Sequence, residues 1–366
     1  MAFRARPCWR NHRTSTIAAT VLTAALALTA CSTDSDSQSN GAHGGASSSV
    51  AAEQSQGQFP ITITHAFGET VINEKPERIA AVGWANHEVP LALGITPVGI
   101  TKATFGDDDD NGILPWVEEK LAELGADSGE QQPVLFDQTD GIPFEQVADT
   151  KPDVILAAYS GITQEDYDTL SKIAPVVAYP GVPWGASLAE TIRLNATAMG
   201  MAEQGEKLVT DLKAETEAAL DRHPKLRDKK VLFTAFGHSD DMSKIGFYSI
   251  KDPRLGFLLD HGLDTADIVR RESEKSDSFH VEVSAEKPED FADVDLIISY
   301  SLGSEAEDKK LLEGMQAHPL LSKIPAIAEG NIVFLEDGPG GAVANPSPLS
   351  IPWGIESYFA QLESAL

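Results

Sequence analysis

Cysteine is almost absent from this sequence. Of its 366 residues, only Cys8 and Cys31 are cysteines, and Cys8 lies in an N-terminal stretch that we expect to be removed. The mature chain then keeps one thiol, so no disulfide bond supports its fold. It also lacks the set of cysteines that an iron–sulfur cluster needs, which excludes an enzyme built around such a cluster.

Basic residues are scarce as well. The chain has 28 lysines and arginines against 56 acidic residues, and its formal net charge is −28. Arg4, Arg6, Arg10 and Arg13 lie in the N-terminal stretch, so a mature chain has 24 basic residues and a net charge of −32. Such a surface repels nucleic acid and anionic lipid. We therefore exclude both as direct partners.

Motifs of catalysis and metal binding are missing. The run from Gly237 to Asp240 lacks the spacing of a nucleophile elbow, and no phosphate loop or dinucleotide fingerprint follows the first predicted strand. Nine histidines are scattered without metal-ligand spacing. His87 comes nearest to a ligand, but a helix-start residue is its structural interpretation. We expect neither an enzyme nor a cofactor or metal bound by the protein's own ligands.

One acidic stretch matches a calcium-binding pattern. Asp107, Asp109, Asn111 and Gly112, closed by Glu118, have the spacing of an EF-hand loop. However, a predicted strand leads into this loop where an EF-hand has a helix, and a proline at position 115 stiffens its second half. A solvated acidic loop is the alternative interpretation, and we leave calcium out of the predicted site.

The N-terminus has the features of an export signal. After its arginines, Ile17–Ala30 is apolar or small without a break, and this run is too short to span a bilayer. Its end, LTAC, resembles the lipobox of bacterial lipoproteins, which implies cleavage before a lipidated Cys31. The alternative is an ordinary signal with an incidental cysteine. Residues 31–58, rich in Ser, Gly, Ala and Gln, predict a flexible tether, so we expect a chain lipid-anchored on the extracytoplasmic face of the membrane.

The rest of the chain is organised around one predicted helix. Residues 203–223 are rich in helix formers, with Leu208, Leu212, Ala219 and Leu220 on one face. The segments on either side, 59–202 and 224–366, alternate apolar strands with helices, which predicts a doubly wound α/β lobe on each side. A long core helix within a single domain is the alternative. The predicted elements are a hairpin at 59–75, strands at 78–83, 96–101, 175–179, 230–236, 295–300 and 331–335, a helix running into a strand at 142–159, and helices at 255–261 and 309–322.

Five segments in order carry a family resemblance: KPERIAAVGW, ALGITPVGI, IPFEQVADTKPDVILA, VSAEKPEDFADVDLIIS and IPAIAEGNIVFLED. The chain from Ile61 to Leu366 resembles the class III substrate-binding proteins of iron–siderophore ABC importers. The resemblance implies two Rossmann-like lobes joined by one long rigid helix. It also implies a monomer that clamps its ligand in a shallow cleft between the lobes and moves little on binding.

Candidate ligand-binding residues follow from a rule of open parallel sheets, in which ligands bind beyond the carboxyl ends of the strands. Aromatic side chains supply apolar area with a polar handle, and Arg or Lys can reach anionic oxygens. The residues that this rule and the neighbouring loops select are Trp84, Lys102, Tyr159 and Trp184 in the first lobe, and Phe236, Tyr248, Arg270, Arg271, Phe279, His280 and Tyr300 in the second.

The expected function is capture of a ferric siderophore and its delivery to an ABC permease dimer. The acidic surface favours a neutral or cationic chelate, hence a hydroxamate over a trianionic catecholate, although Arg270 and Arg271 argue the other way. A cobalamin- or haem-binding protein of the same fold is one alternative. A surface sensor or adhesin without transport is another.

Two glutamates are the candidate permease contacts. Glu145 and Glu286 occupy matching places in what reads as a weak internal repeat: we expect each to start a short helix, ahead of a strand opened by an aspartate. The resemblance implies that one such glutamate from each lobe pairs with arginines on the permease. The alternative is helix capping, because a glutamate in a first turn also interacts favourably with the helix dipole.

Overall fold

The computed structural model describes residues 58–236 and 242–366. The predicted signal peptide, Cys31 and nearly all of the predicted tether lie outside this part. The strands are β1 Ile61–His65, β2 Gly68–Ile72, β3 Ile79–Ala81, β4 Gly99–Thr101, β5 Val134–Phe136, β6 Val154–Ala157, β7 Val176–Ala178, β8 Lys230–Phe233, β9 Lys244–Tyr248, β10 Asp264–Thr265, β11 His280–Ser284, β12 Leu296–Tyr300 and β13 Ile332–Leu335. The α-helices are α1 Glu88–Ala92, α2 Pro115–Glu123, α3 Phe144–Asp149, α4 Gln164–Leu170, α5 Leu188–Ala198, α6 Ala202–Asp221, α7 Pro253–Asp260, α8 Asp267–Ser273, α9 Glu305–Ala317, α10 Pro325–Glu329, α11 Pro339–Ala342 and α12 Ser350–Glu363.

Two parallel sheets lie on either side of α6 in the chain. The first has the strand order β5-β4-β3-β6-β7, and the second β10-β8-β12-β13. Their central strands are buried apolar runs, as expected for parallel strands covered on both faces. The predicted α/β fold is confirmed, and we call the parts before and after α6 the first and the second lobe.

Helix α6 is the long helix that the sequence predicts. Its twenty residues span about 30 Å, and it buries Leu212, Ala219 and Leu220. It packs on α5, where a side chain at Gly205 would meet Cβ of Ala196 at 2.5 Å, and on α12 at the end of the chain.

The predicted hairpin is also present. Strands β1 and β2 pair antiparallel from Ile61 opposite Ile72 to His65 opposite Gly68, and β1 buries every second residue. Its amide at Ala66 donates to the carbonyl of Tyr179 at 2.9 Å, which attaches the hairpin to the first sheet.

Several elements were not predicted: the strands β5, β9, β10 and β11 and the helices α2, α4, α5, α8, α10, α11 and α12. Helix α9 begins at Glu305, not at Lys309. The reason is the cap at Ser304, whose hydroxyl accepts the amide of Glu307 at 3.3 Å. Within residues 58–236 and 242–366, no helix combines the length and apolar character needed to cross a membrane.

Candidate ligand-binding site

A pocket of about 630 Å³ lies beyond the carboxyl ends of strands from both sheets. This volume is in the range of ordinary small-molecule sites. The first lobe contributes Trp84 and Phe105 to its lining. The rest of the lining follows α6 in the chain and includes Tyr248, Arg254, Tyr300 and Asn345.

Among the described residues that line this pocket, Arg254 is the one basic residue, and it is held by a buried carboxylate. Asp252 caps α7, and its Oδ1 accepts the backbone amide of Arg254 at 2.9 Å. The guanidinium donates to both carboxylate oxygens, from Nε at 2.8 Å and from Nη2 at 2.6 Å. The Asp252 side chain is 0% exposed and that of Arg254 15%. Burial opposes the charged guanidinium, but the hydrogen bonds and charge of Asp252 prevail and raise the pKa of Arg254 above its usual range.

Two tyrosines surround this guanidinium. It lies over the ring of Tyr248 at 3.7 Å from the centroid, and its Nη1 lies 3.5 Å from the hydroxyl of Tyr300. The phenyl ring of Phe105 meets Tyr300 edge-on, with centroids 5.7 Å apart. Burial raises the pKa of both tyrosines. They therefore stay neutral and can donate hydrogen bonds to a ligand.

In the first lobe, a tight turn after β3 presents Trp84. Gly83 has φ +77°, and a Cβ there would lie 2.6 Å from the carbonyl oxygen of Tyr159. The side chain of Asn86 fixes the turn: its amide donates to the carbonyls of Val82 at 2.7 Å and Tyr159 at 2.9 Å, and its oxygen accepts the amide of Tyr159 at 3.0 Å.

Tyr159 joins the first lobe to the chain after α6. Its hydroxyl lies 3.3 Å from Oδ1 and 3.2 Å from Nδ2 of Asn345. Its ring meets Trp184 edge-on, with centroids 5.4 Å apart. Burial raises the pKa of Tyr159, so this phenol also remains neutral.

The structure brings seven predicted site residues to or near this pocket. Trp84, Tyr248 and Tyr300 line it, while Tyr159 and Trp184 lie beside it. His280 is paired with Tyr248 across β11 and β9, and burial lowers its pKa. Phe236 follows β8 at its carboxyl end, half-buried, and its amide donates to Ser299 Oγ at 3.0 Å.

The structure places the other four predicted residues outside this pocket. Lys102 is paired with Asp137 at 3.4 Å. Arg270 is paired with Asp264, and Arg271 donates to Glu272 at 3.1 Å and to Asp290 at 3.0 Å. Asp264 lies opposite Lys230 at the start of β8, so these two arginines occupy the amino ends of the second sheet, away from the pocket. Phe279 lies in the turn before β11, where its carbonyl accepts the amide of Ser249 at 2.8 Å.

Sequence reasoning missed Phe105, Arg254 and Asn345. The sequence contained a signal for Arg254, because the run Asp252-Pro253 is a typical helix start and places Arg254 in the first turn of α7. Phe105 and Asn345 lie in long loops without such a signal.

The acidic loop is largely self-contained. Asp107 Oδ2 accepts the amide of Gly112 at 2.6 Å, and the amides of Asp109 and Asn111 donate to Asp107 and Asp109 at 3.2 and 3.1 Å. Carboxylate oxygens of Asp107, Asp108 and Asp109 lie within 4.8 Å of one another. Most of this cluster is exposed, so its internal hydrogen bonds and solvent account for it without an ion.

His87 begins α1, as its structural interpretation predicted. It is 6% exposed, and burial lowers its pKa to about 4. Within the described residues its Nδ1 has no hydrogen-bond partner.

Glu145 and Glu286 are both exposed. Glu145 lies in the first turn of α3, whereas Glu286 lies in a turn before the 3₁₀ helix Pro288–Phe291. The expectation that Glu286 starts a helix is therefore wrong, and dipole capping does not account for it. Across the described residues, neither carboxylate has an ion-pair partner.

Comparisons with known proteins agree on the kind of molecule. Residues 79–338 match the model of the periplasmic binding protein family. PiaA from Streptococcus pneumoniae TIGR4, solved in complex with ferrichrome, is 45% identical over 83% of this chain and 98% of its own, with a TM-score of 0.77.

More distant proteins extend the similarity. A probable siderophore-binding lipoprotein, YfiY of Bacillus subtilis (strain 168), is 25% identical over 320 residues, 86% of this chain and 88% of its own length. SirA from Staphylococcus aureus, solved with staphyloferrin B, shares the fold, with 19% identity and a TM-score of 0.59 over 83% of this chain and 96% of its own.

Proposed function

This chain belongs to the periplasmic binding protein family, and we propose that it binds a ferric hydroxamate siderophore and delivers it to an ABC permease for iron uptake. The class of protein is that of solute-binding proteins, not enzymes. Its iron would arrive already chelated, so the siderophore is the ligand and the protein needs no metal ligands of its own.

The charge of the pocket is the observation that carries the hydroxamate assignment. In the described part of the lining, Arg254 is the one basic residue, and Asp252 already compensates its charge. Glu336 and Asp337 add negative charge. A ferric ion with three hydroxamates is neutral and suits these aromatic walls, whereas a trianionic tris-catecholate would meet uncompensated like charge in a partly buried site.

Two further observations support the same ligand class. Arg270 and Arg271, which argued for an anionic ligand, lie at the amino ends of the second sheet and are paired with acids. PiaA, the 45% identical protein, was solved with ferrichrome, a siderophore of the hydroxamate type.

Tryptophan fluorescence tests the assignment. Trp84 lines the pocket and Trp184 lies beside it, so a bound ferric chelate should quench their emission. We expect saturable quenching by ferrichrome or ferrioxamine B and none by ferric enterobactin at the same concentration. A Trp353→Phe variant, which removes a 39% exposed tryptophan outside the lining, should respond as the wild type does. Saturation by haem or cobalamin alone would assign the chain to those ligands.

We also propose that Cys31 carries the lipid anchor, a location in line with relatives named as lipoproteins. Two acyl chains buried in the bilayer suffice for stable attachment. Cys31→Ala should release the protein into the medium or leave it unprocessed, with ligand binding unchanged. Recovery of the processed variant, without its signal, in membranes after a high-salt wash would contradict the anchor.

For delivery, we propose Glu145 and Glu286 as the permease contacts. Each is an exposed acid without an ion-pair partner in the described chain, one in each lobe. A two-fold permease presents two equivalent surfaces, and one acid per lobe can meet a basic group on each of them.

A further inference from the structure

Glu88 is a carboxylate at the start of α1 that is 0% exposed. Its Oε1 accepts the indole N–H of Trp116 at 2.9 Å. Its Oε2 accepts the hydroxyl of Ser347 and the backbone amide of Leu349, the latter at 3.0 Å. One side chain of the first lobe is therefore hydrogen-bonded to a segment about 260 positions later in the chain.

This segment, residues 345–350, connects the pocket to α12. It begins with Asn345, which lines the pocket and is hydrogen-bonded to Tyr159. Only Pro346 separates Asn345 from Ser347, and its ring fixes one of the backbone dihedrals between them. Fixing Ser347 and Leu349 therefore restricts where the backbone of Asn345 can lie.

We propose that Glu88 is a positioning residue for ligand binding, which holds residues 345–350 against the first lobe so that the Asn345 amide faces the pocket. This role rests on the proposed siderophore binding. Glu88 does not touch the pocket itself. It acts through Ser347 and Leu349.

Two features argue against a role in core packing alone. A buried carboxylate costs free energy that an apolar side chain of equal size would not, and burial raises the pKa of Glu88 to about 7 despite its hydrogen-bond donors. The donors also come from two sides, Trp116 in the first lobe and the segment after α11. The carboxylate of Glu88 therefore connects two parts of the chain that are far apart in sequence.

A double-mutant cycle on the full-length protein separates positioning from packing. Glu88→Met keeps the length of the side chain and removes both acceptor oxygens. We expect ferrichrome affinity to fall about tenfold, with no further fall when the same change is made in an Asn345→Ala background. Leu170→Ala, a core truncation on α4 outside the lining, is the matched control and should lower the melting temperature without changing affinity.

A second readout does not need the ligand. Amide hydrogen exchange in the unliganded Glu88→Met protein should accelerate in residues 345–351 beyond any change in β1 and β2, and Leu170→Ala should not reproduce this pattern. Unchanged exchange there, or an affinity loss that persists in the Asn345→Ala background, overturns the inference. If Glu88→Met does not fold, Ser347→Ala removes one donor, and the expected loss is about threefold.

The two proposals can fail separately. Absence of ferrichrome binding by the wild type would count against the proposed function, and hydrogen exchange would then decide the role of Glu88. Wild-type binding with an unaffected Glu88→Met variant would leave the function standing and refute the positioning role.

Discussion

Arg254 and Asp252 form a compensated pair of charges at the pocket. Together they place a permanent guanidinium beside Tyr248 and Tyr300 with no net charge. The guanidinium still has N–H groups to offer, and charged donors form the stronger hydrogen bonds. Hydroxamate oxygens on ferric iron carry partial negative charge and are natural acceptors. The pair can therefore bind such oxygens without selecting an anionic chelate.

Substitution of Arg254 should affect stability and binding separately. Arg254→Ala leaves Asp252 buried without its partner, which we expect to lower the free energy of unfolding by about 3–5 kcal/mol. The double variant Asp252→Asn, Arg254→Gln removes both charges and keeps an oxygen to cap α7. This double variant should recover most of the free energy of unfolding, measured by urea denaturation. It should bind ferrichrome about tenfold more weakly than the wild type, measured by fluorescence titration. Wild-type affinity in the double variant would exclude Arg254 as a ligand contact.

Glu88 gives the stability of the protein a definite dependence on pH. Burial raises its pKa from 4.5 to about 7, against the opposing hydrogen bonds of Ser347 and Trp116. Because the folded pKa is the higher one, the protonated group stabilises the fold below about pH 4.5, and this contribution is lost as pH rises through 7. The difference between the two pKa values corresponds to about 3 kcal/mol in the free energy of unfolding.

The measurement is the free energy of unfolding from pH 5 to pH 8 for the wild type and for Glu88→Gln. As the pH rises, the wild type should lose most of this stability of about 3 kcal/mol relative to Glu88→Gln. Subtraction removes the contribution of His87, whose lowered pKa acts in the opposite direction. A difference that does not vary with pH would show that Glu88 titrates near its ordinary value.

Among the elements, the loop between β4 and α2 contributes the first-lobe contact to Tyr300. Its Phe105 meets that ring, and Gly106, at φ +82°, leaves no space for a side chain against Ala342. The loop is anchored at its base, where the amide of Ala103 donates to the carbonyl of Gly112 at 2.8 Å. Phe105 is thus held where it covers part of the pocket.

Truncation of this loop side chain should loosen the ligand. An edge-on aromatic pair contributes about 0.5–1.5 kcal/mol, so Phe105→Ala should speed dissociation of ferrichrome about two- to tenfold in stopped-flow fluorescence. Val71→Ala, at an exposed apolar residue of the β1–β2 hairpin, is the control and should have no effect. Equal dissociation rates in both variants would mean that Phe105 does not close on the ligand.

At the scale of the whole molecule, the two lobes differ in detail but present similar acidic groups. Glu145 lies in the first turn of α3, after the loop that follows β5. Glu286 lies two residues after the end of β11, whose last residue, Ser284, is paired with Lys244 of β9. Helix α6 links the lobes as one continuous rod of twenty residues. In the docking proposal, one continuous helix between the lobes suits a partner with two fixed sites.

The pair Glu145→Ala, Glu286→Ala should abolish siderophore uptake by cells and leave ligand affinity unchanged. Exposed interfacial charges mainly govern association, so binding to the permease should also weaken with salt in the wild type. The matched control is Glu119→Ala with Glu313→Ala, two exposed acids placed one in each lobe. Normal uptake by the first double variant would refute the docking role.

Local sequence patterns determined part of the secondary structure of this fold. Helix α6, the β1–β2 hairpin and the buried strands β3, β6, β8 and β12 depend on propensity and on the spacing of apolar residues, which act between near neighbours in the chain. Five ordered motifs were enough to identify the family. The carboxyl-end rule selected Trp84 and Tyr300, which line the pocket, since strand order places those ends together.

Only the tertiary structure decided which side chains meet. Arg270 and Arg271 lie near the unpredicted strand β10, at the amino ends of the second sheet, where they form ion pairs with acidic residues. Arg254, by contrast, is oriented towards the pocket by the fully buried Asp252. Asn345 meets Tyr159 across 186 positions, and Ser347 meets Glu88 across 259. Such contacts depend on how two lobes pack around α6, and no local pattern in the sequence encodes that packing.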